Sequence, residues 1–262
     1  MDHYGFEIHK INKLDEIKKT AHYIYNDYDF LYKMNGKENL LVSFHGAVPS
    51  DPNKKTKIEL PLFRYYNYNI NNLSILCLSD MLINKHHVKD NVYLSWYNDT
   101  SVINQTQIII EILRHIKNDY KKIIFAGTSG GAYPALKFAS IFNGICLIMN
   151  GQYNIEKYPY YNTFKLLMSK IGQHILSKPN IIEEIEKYNS LPKYLYTYVN
   201  NDDLPHVIHV NNFYEELKNK NIKLNYIHNT FNFGEKRNIS PHEIYMPYEH
   251  TMEKVIKFIL EV

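Results

Sequence analysis

No apolar run in the 262 residues approaches the roughly 18 that a membrane-spanning helix requires, so no helical span is expected. Cysteine is nearly absent. Only Cys77 and Cys146 occur, each inside an apolar strand-like run, Leu76-Cys77-Leu78 and Ile145-Cys146-Leu147. That excludes a disulfide framework and a cysteine metal cluster, and both thiols read as reduced core residues. Charge of one sign is missing too. The 30 basic and 27 acidic side chains are interspersed for a net +3, with no basic block, which argues against nucleic acid as a partner. There is no glycine-rich phosphate loop of the Walker or dinucleotide type. Met1 to Phe6 lacks a basic segment followed by an apolar one, so export by a signal peptide is not expected and the expected location is cytoplasmic. Tyrosine, by contrast, is abundant at 24 residues. With the plentiful Asn, Ile and Lys, it reads as compositional drift that leaves half-buried surface aromatics.

The most informative stretch is Lys122 to Gly131. A short apolar run, Ile123 to Ala126, leads into Gly127-Thr128-Ser129-Gly130-Gly131, and Ala132 to Phe142 continues at helical spacing. This is a strand, a tight turn and a helix, with a serine at the apex and small residues two positions to either side. In a nucleophile elbow the serine adopts a strained backbone conformation, and only near-side-chain-free neighbours avoid collision. The hydroxyl then stands above the sheet edge and the Gly130 N–H points to where an oxyanion would form.

The length fits one α/β domain, residues 1–262, and would cramp two. Leu40–Phe44, Leu73–Leu78, Ile123–Ala126, Ile145–Met149 and Tyr194–Val199 are short apolar runs without alternation, the pattern of parallel strands buried on both faces. Helical spacing recurs over Val102–Ile116, Val207–Leu217 and Tyr245–Leu260, and Ile222–Ile227 reads as one more strand. The alternation predicts a mostly parallel central sheet with helices on both faces. The first 35 residues are expected to add an antiparallel edge, with Tyr28–Met34 as a strand turning at Asn35-Gly36. Residues 151–193 interrupt the rhythm with about 40 residues, including helix-like Phe164–Ile175 and Ile181–Tyr188 and a cluster at Tyr153, Tyr158, Tyr160 and Tyr161. This insertion is expected to be either a helical cap over the serine or a peripheral decoration.

A serine nucleophile needs an oxyanion hole, a base and a group to orient the base. The strand Leu40–Phe44 runs into His45-Gly46-Ala47, so Ala47 N–H, or next Gly46 N–H, is the expected partner of Gly130 N–H. His45 is expected to shape that loop rather than to act as base, and it remains a candidate substrate contact. In the order Ser…Asp…His, the acid follows Tyr194–Asn200. Asp203, three residues past the strand, is the choice, with Asp202 as the alternative or as a helix cap. The base is expected to be His242 in the loop before the last helix, with His250 the alternative. His206 and His209 read as packing residues one turn apart on a helix, and His86-His87 as a solvated turn. No metal site is expected.

With these motifs in this order, the chain resembles the α/β-hydrolase superfamily over nearly its whole length. More narrowly, Val42-Ser43-Phe44-His45-Gly46-Ala47, Gly127-Thr128-Ser129-Gly130-Gly131 and Asn200-Asn201-Asp202-Asp203-Leu204-Pro205-His206 are similar to a bacterial branch linked to capsule biosynthesis, the capsular polysaccharide O-acetyltransferases and glycan-acetylating proteins of accessory secretion systems. The resemblance implies a serine that takes an acetyl group from acetyl-CoA, a substrate rather than a tightly bound cofactor, and passes it to a sugar hydroxyl. It also implies that Asn150-Gly151-Gln152 sets polar side chains, Gln152 among them, near a carbohydrate. Lys54, Lys55, Lys57 and Arg64 read either as an exposed basic loop or as a grip for coenzyme A phosphates or an anionic glycan. If water replaces the sugar, the same site is an esterase acting on small or carbohydrate esters. A non-catalytic binding protein on this fold is the third reading.

Overall fold

The computed structural model describes residues 1–48, 59–232, 242 and 252–261. The elements in chain order are β1 (Ile8–Ile11), β2 (Ala21–Tyr25), β3 (Tyr28–Lys33), β4 (Asn39–Phe44), β5 (Leu73–Leu78), α1 (Met81–Asp90), α2 (Gln105–Lys117), β6 (Lys122–Thr128), α3 (Ala132–Ile141) and β7 (Ile145–Met149). They continue with α4 (Tyr160–Lys170), α5 (Ile181–Glu186), β8 (Tyr194–Asn200), α6 (Leu204–Asn219), β9 (Tyr226–Phe231) and α7 (Met252–Glu261). One nine-stranded sheet runs β1-β2-β3-β5-β4-β6-β7-β8-β9. From β5 through β4 to β9 every pairing is parallel, whereas β3 pairs antiparallel with both β2 and β5.

The buried strands explain the unalternating runs. Leu40, Val42 and Phe44 of β4 join a core beneath α2, α3 and α6, while Leu41 joins a second core with Val255, Ile256 and Ile259 of α7. Helices thus cover both faces, and apolar residues are needed at successive positions. Both cysteines are buried and free, and burial pushes the Cys77 thiol up to about 12. No helix among the described residues is long and apolar enough to cross a membrane.

Several boundaries differ from expectation, each for a local reason. The helix expected from Val102 starts at Gln105, because Asn104 Oδ1 accepts from Gln107 N at 3.1 Å and caps it. The helix expected to run to Ile175 begins earlier, at Tyr160, and ends at Lys170, before Gly172 turns left-handed with φ +73°. The last strand starts at Tyr226, since Ile222 N still bonds Leu217 O to close α6. His86 and His87 lie on α1 rather than in a solvated turn, and His86 Nδ1 meets Asp90 Oδ2 at 2.7 Å. That helix buries only its first turn, Met81 to Ile83, so it carries no apolar period. Tyrosine is also more internal than its abundance suggested: ten tyrosines are buried among the described residues.

The insertion is fastened to the sheet by a buried charge. Lys137 of α3, 1% exposed, places Nζ 2.7 Å from Thr106 Oγ1 and 3.0 Å from Glu184 Oε1 of α5, with Asp99 Oδ2 at 3.8 Å. Burial opposes the Glu184 charge, yet Lys137, Lys187 and the Lys178 N–H together hold its carboxyl below the usual range. Removing the ammonium leaves Glu184 with only Lys187 and the Lys178 N–H to offset its burial. Lys137→Met is expected to lower the stability by about 3–5 kcal/mol in urea unfolding, and adding Glu184→Leu to restore much of it.

Candidate active site

β6 delivers Ser129 at the turn into α3 with φ +53°, a left-handed conformation that serine rarely adopts. The turn closes only because its glycines lack side chains. A Cβ on Gly127 would lie 2.0 Å from Gly131 O, and one on Gly131 would lie 2.7 Å from Phe44 O. Gly46 packs against the same turn, its Cβ position 3.4 Å from Ser129 Cβ and 3.6 Å from Gly130 N. The loop after β4 and the Gly130 N–H therefore flank the serine, which is the neighbourhood an oxyanion hole needs. Ala47, next in the loop, is exposed.

The histidine of that loop serves the backbone. His45 is 2% exposed, its Nδ1 donates to Gly46 O at 2.7 Å, and its Nε2 accepts from Asp80 N at 3.2 Å. Both ring nitrogens are engaged within the fold, which fits the loop-shaping role. Burial also lowers its pKa, consistent with a neutral ring. Arg64 is exposed and its carbonyl accepts the Ser43 hydroxyl at 2.7 Å. Lys54, Lys55, Lys57 and His250 lie outside the described residues.

A continuous hydrogen-bonded chain runs from the serine to the late histidine. Gln152 Nε2 lies 3.2 Å from Ser129 Oγ and 3.5 Å from His206 Nε2. His206 Nδ1 is 2.9 Å from both Asp203 oxygens, and His242 Nδ1 is 2.9 Å from Asp203 Oδ2. Asp203 is thus the aspartate that reaches His242. Asp202 is exposed, and its N–H bonds Asn200 Oδ1 at 3.1 Å. The expected capping role falls instead on the Asp203 position, which precedes α6 and whose carbonyl accepts from His206 N and Val207 N. Burial disfavours the Asp203 carboxylate, but the hydrogen bonds from His206 and His242 outweigh it and hold the group well below the usual carboxylate range. Asn150, at φ +44°, accepts from Asn200 N at 3.0 Å and donates to His242 O at 3.4 Å, tying the end of β8 to the His242 backbone.

Two partners were missed from the sequence. His206 belongs to the first turn of α6, three residues after Asp203, whereas the apolar period begins only at Val207. That spacing was the available signal. Trp96 had none: it sits in a loop at φ +52°, and its Nε1 donates to Gln152 Oε1 at 2.6 Å. A cavity of about 970 Å³ opens beside the chain, lined among others by Tyr158, Tyr160, Asp203, His206, Ile208 and His242. Ser129 is 6% exposed. Asp203, His206 and His242 also place three ligand atoms within 4.8 Å of one another. Their nitrogens already share the one carboxylate.

His209 lines the same cavity, and burial, with Lys157 nearby, pushes it down to about 4 against the pull of Asp203. It is neutral when folded but binds a proton in the unfolded chain below roughly pH 6.5. Its contribution is therefore present above that value and lost as pH falls toward the folded one. His209→Gln is expected to flatten the fall in Tm between about pH 7 and pH 4 relative to the parent chain, read by thermal melts.

No protein-family profile matches the sequence, and no curated protein does. Among solved structures, the chain is similar to the capsule O-acetyltransferase of Neisseria meningitidis serogroup A, with a TM-score of 0.58 at 16% identity over 93% of this chain and 95% of that one. A histidine-to-alanine variant of that enzyme in complex with CoA matches with a TM-score of 0.55 at 14% identity, covering 82% and 88%. Sheet order, serine turn and this likeness together identify the fold as that of the α/β-hydrolases, in a form resembling capsule O-acetyltransferase along nearly the whole chain.

Proposed function

We propose that this chain transfers an acyl group through Ser129, taking acetyl from acetyl-CoA and passing it to a hydroxyl of a bacterial surface polysaccharide. The observation that carries the reading is the strained serine, at φ +53° beside the loop after β4, with the Asp203–His242 pair on the same hydrogen-bonded chain. His242 accepts the Ser129 proton as Oγ attacks the thioester carbonyl. The N–H groups of Gly130 and Ala47, or Gly46, hold the oxyanion, about 3–4 kcal/mol for each donor. The tetrahedral adduct expels the thiolate, which takes the proton from His242 and leaves an ester on Ser129. The sugar hydroxyl then gives its proton to His242, attacks the ester carbonyl, and the returning proton frees Ser129. Asp203 keeps the imidazole oriented and stabilises its protonated form.

The acceptor decides between transferase and esterase, since transfer requires that water be outcompeted. Supporting transfer are the low exposure of Ser129 and the aromatic wall of Tyr158 and Tyr160 that the insertion contributes to the cavity. The likeness to an acetyltransferase, a variant of which was solved with CoA, points the same way. Purified protein is expected to release thiol from acetyl-CoA only when a capsular oligosaccharide is present. Ser129→Ala should abolish the release, and Asp203→Asn should reduce kcat by about 10⁴-fold. Ser129-dependent cleavage of p-nitrophenyl acetate without glycan-dependent thiol release would replace the transferase with an esterase.

A further inference from the structure

Asp203 is shared by two imidazoles, and the reaction above uses only one. The second, His206, is 3% exposed and stacks on His242 with ring centroids 4.3 Å apart and planes inclined by 21°. Its protonation follows from its neighbours. An ionised carboxylate only accepts, so His206 Nδ1, 2.9 Å from both Asp203 oxygens, carries a hydrogen. The Trp96 indole N–H only donates, so Gln152 Oε1 is the atom that meets it, and Nε2 is the atom that turns to Ser129 and His206. An amide NH₂ facing His206 Nε2 calls for a lone pair there. His206 is therefore the neutral, Nδ1-protonated tautomer.

We propose that His206 is a positioning residue with two arms: its Nδ1–H moderates the hold of Asp203 on His242, and its Nε2 keeps the Gln152 amide on the Ser129 hydroxyl. The proposal rests on the acyl-transfer reading and deepens it. A carboxylate that accepts from a second donor holds a protonated His242 ring less strongly than one that serves His242 alone. Two stacked imidazolium rings would repel, so His206 remains neutral when His242 takes the serine proton. The second arm fixes a donor on Ser129 Oγ, which orients the hydroxyl and favours its developing negative charge.

The other titratable groups around the rings do not confuse the reading. Burial pushes His209 down to about 4, and it pushes the Tyr158 phenol up, although a hydrogen bond with Gln152 opposes that shift. Neither changes charge between roughly pH 5 and pH 9. Lys157 lines the same cavity and lowers His209 as a positive neighbour.

The test compares the parent chain with His206→Asn, His206→Gln and His206→Phe, reading the rate of fluorophosphonate labelling at Ser129 against pH, with thermal melts to establish folding. Asn keeps an N–H where Nδ1 lies and loses the Nε2 arm. Gln keeps an acceptor near Nε2 and loses the Nδ1 donor, whereas Phe keeps only the stack. The acid limb of labelling is expected to rise by about half a pH unit or more in the Gln and Phe variants and to stay in place in Asn. The plateau should fall about tenfold in Asn and Phe, the worth of one hydrogen bond, and less in Gln. Imidazole nitrogen NMR of the parent chain should report His206 protonated at Nδ1 only. An Nε2-protonated His206, or variants that fall equally with unmoved limbs, would overturn the proposal. Should Phe fail to fold, Asn and Gln carry the comparison. Absence of Ser129 labelling in the folded parent would remove the acyl-transfer reading and the proposal with it, whereas labelling with unmoved limbs removes the proposal alone.

Discussion

The site depends on how closely two stretches of backbone approach at the serine turn. With a Cβ position on Gly127 only 2.0 Å from Gly131 O, nothing larger than hydrogen fits between the end of β6 and the start of α3. That contact drives Ser129 into the left-handed region, and the parallel sheet over-determines the strain. β4 is on one side of β6 and β7 on the other, so the loop after β4 and the Asn150–Gln152 segment after β7 arrive on either side of the hydroxyl. β8, one strand further out, brings Asp203. Ser129, Gln152 and Asp203 each lie just past the C-terminal end of a parallel strand, and neighbouring strands supply neighbouring groups.

A second network steadies the approach from the β4 side. Asp80 caps α1 through Leu82 N, accepts from Tyr97 N at 3.0 Å and from the Ser95 hydroxyl, and gives its own N–H to His45. Tyr97 closes the circuit by donating to Leu78 O at 2.8 Å and accepting from His45 N at 3.1 Å. One buried aspartate, through its N–H and its carboxylate, thereby links the loop after β4 to the segment that carries Trp96, and Trp96 orients Gln152. The two sides of the serine are set by one connected framework rather than by separate loops.

What the sequence made legible was whatever has a short-range signature. The serine turn, the buried strands and the loop after β4 could be read because glycine placement and apolar runs are local constraints. Asp203 and His242, which lie 2.9 Å apart, were candidates from chain order. His206 was visible as a residue but not as a partner, because its role depends on where α6 begins, and boundaries are the weakest part of a reading by period. Trp96 and Tyr97 lie in a loop with no period, held at positive φ by bonds to residues far along the chain. No window of neighbouring residues encodes that. The tyrosines were misjudged for a related reason: composition gives their number, and only packing shows that Tyr28, Tyr97 and Tyr133 are internal.

The Lys137–Glu184 pair bears on how the chain can be altered. Insertions in this fold invite treatment as exchangeable modules, to be trimmed or swapped when specificity is redesigned. Here α3, which carries the serine turn at its start, supplies the ammonium, and α5, within the insertion, supplies the carboxylate that neutralises it. Excising or transplanting the insertion would leave Lys137 with only Asp99, 3.8 Å away, to balance its charge on the helix that follows the serine turn. Any shuffled version must carry Glu184 or replace Lys137 with an apolar residue, so the boundary of the transferable unit runs through the core rather than through the loops that flank it.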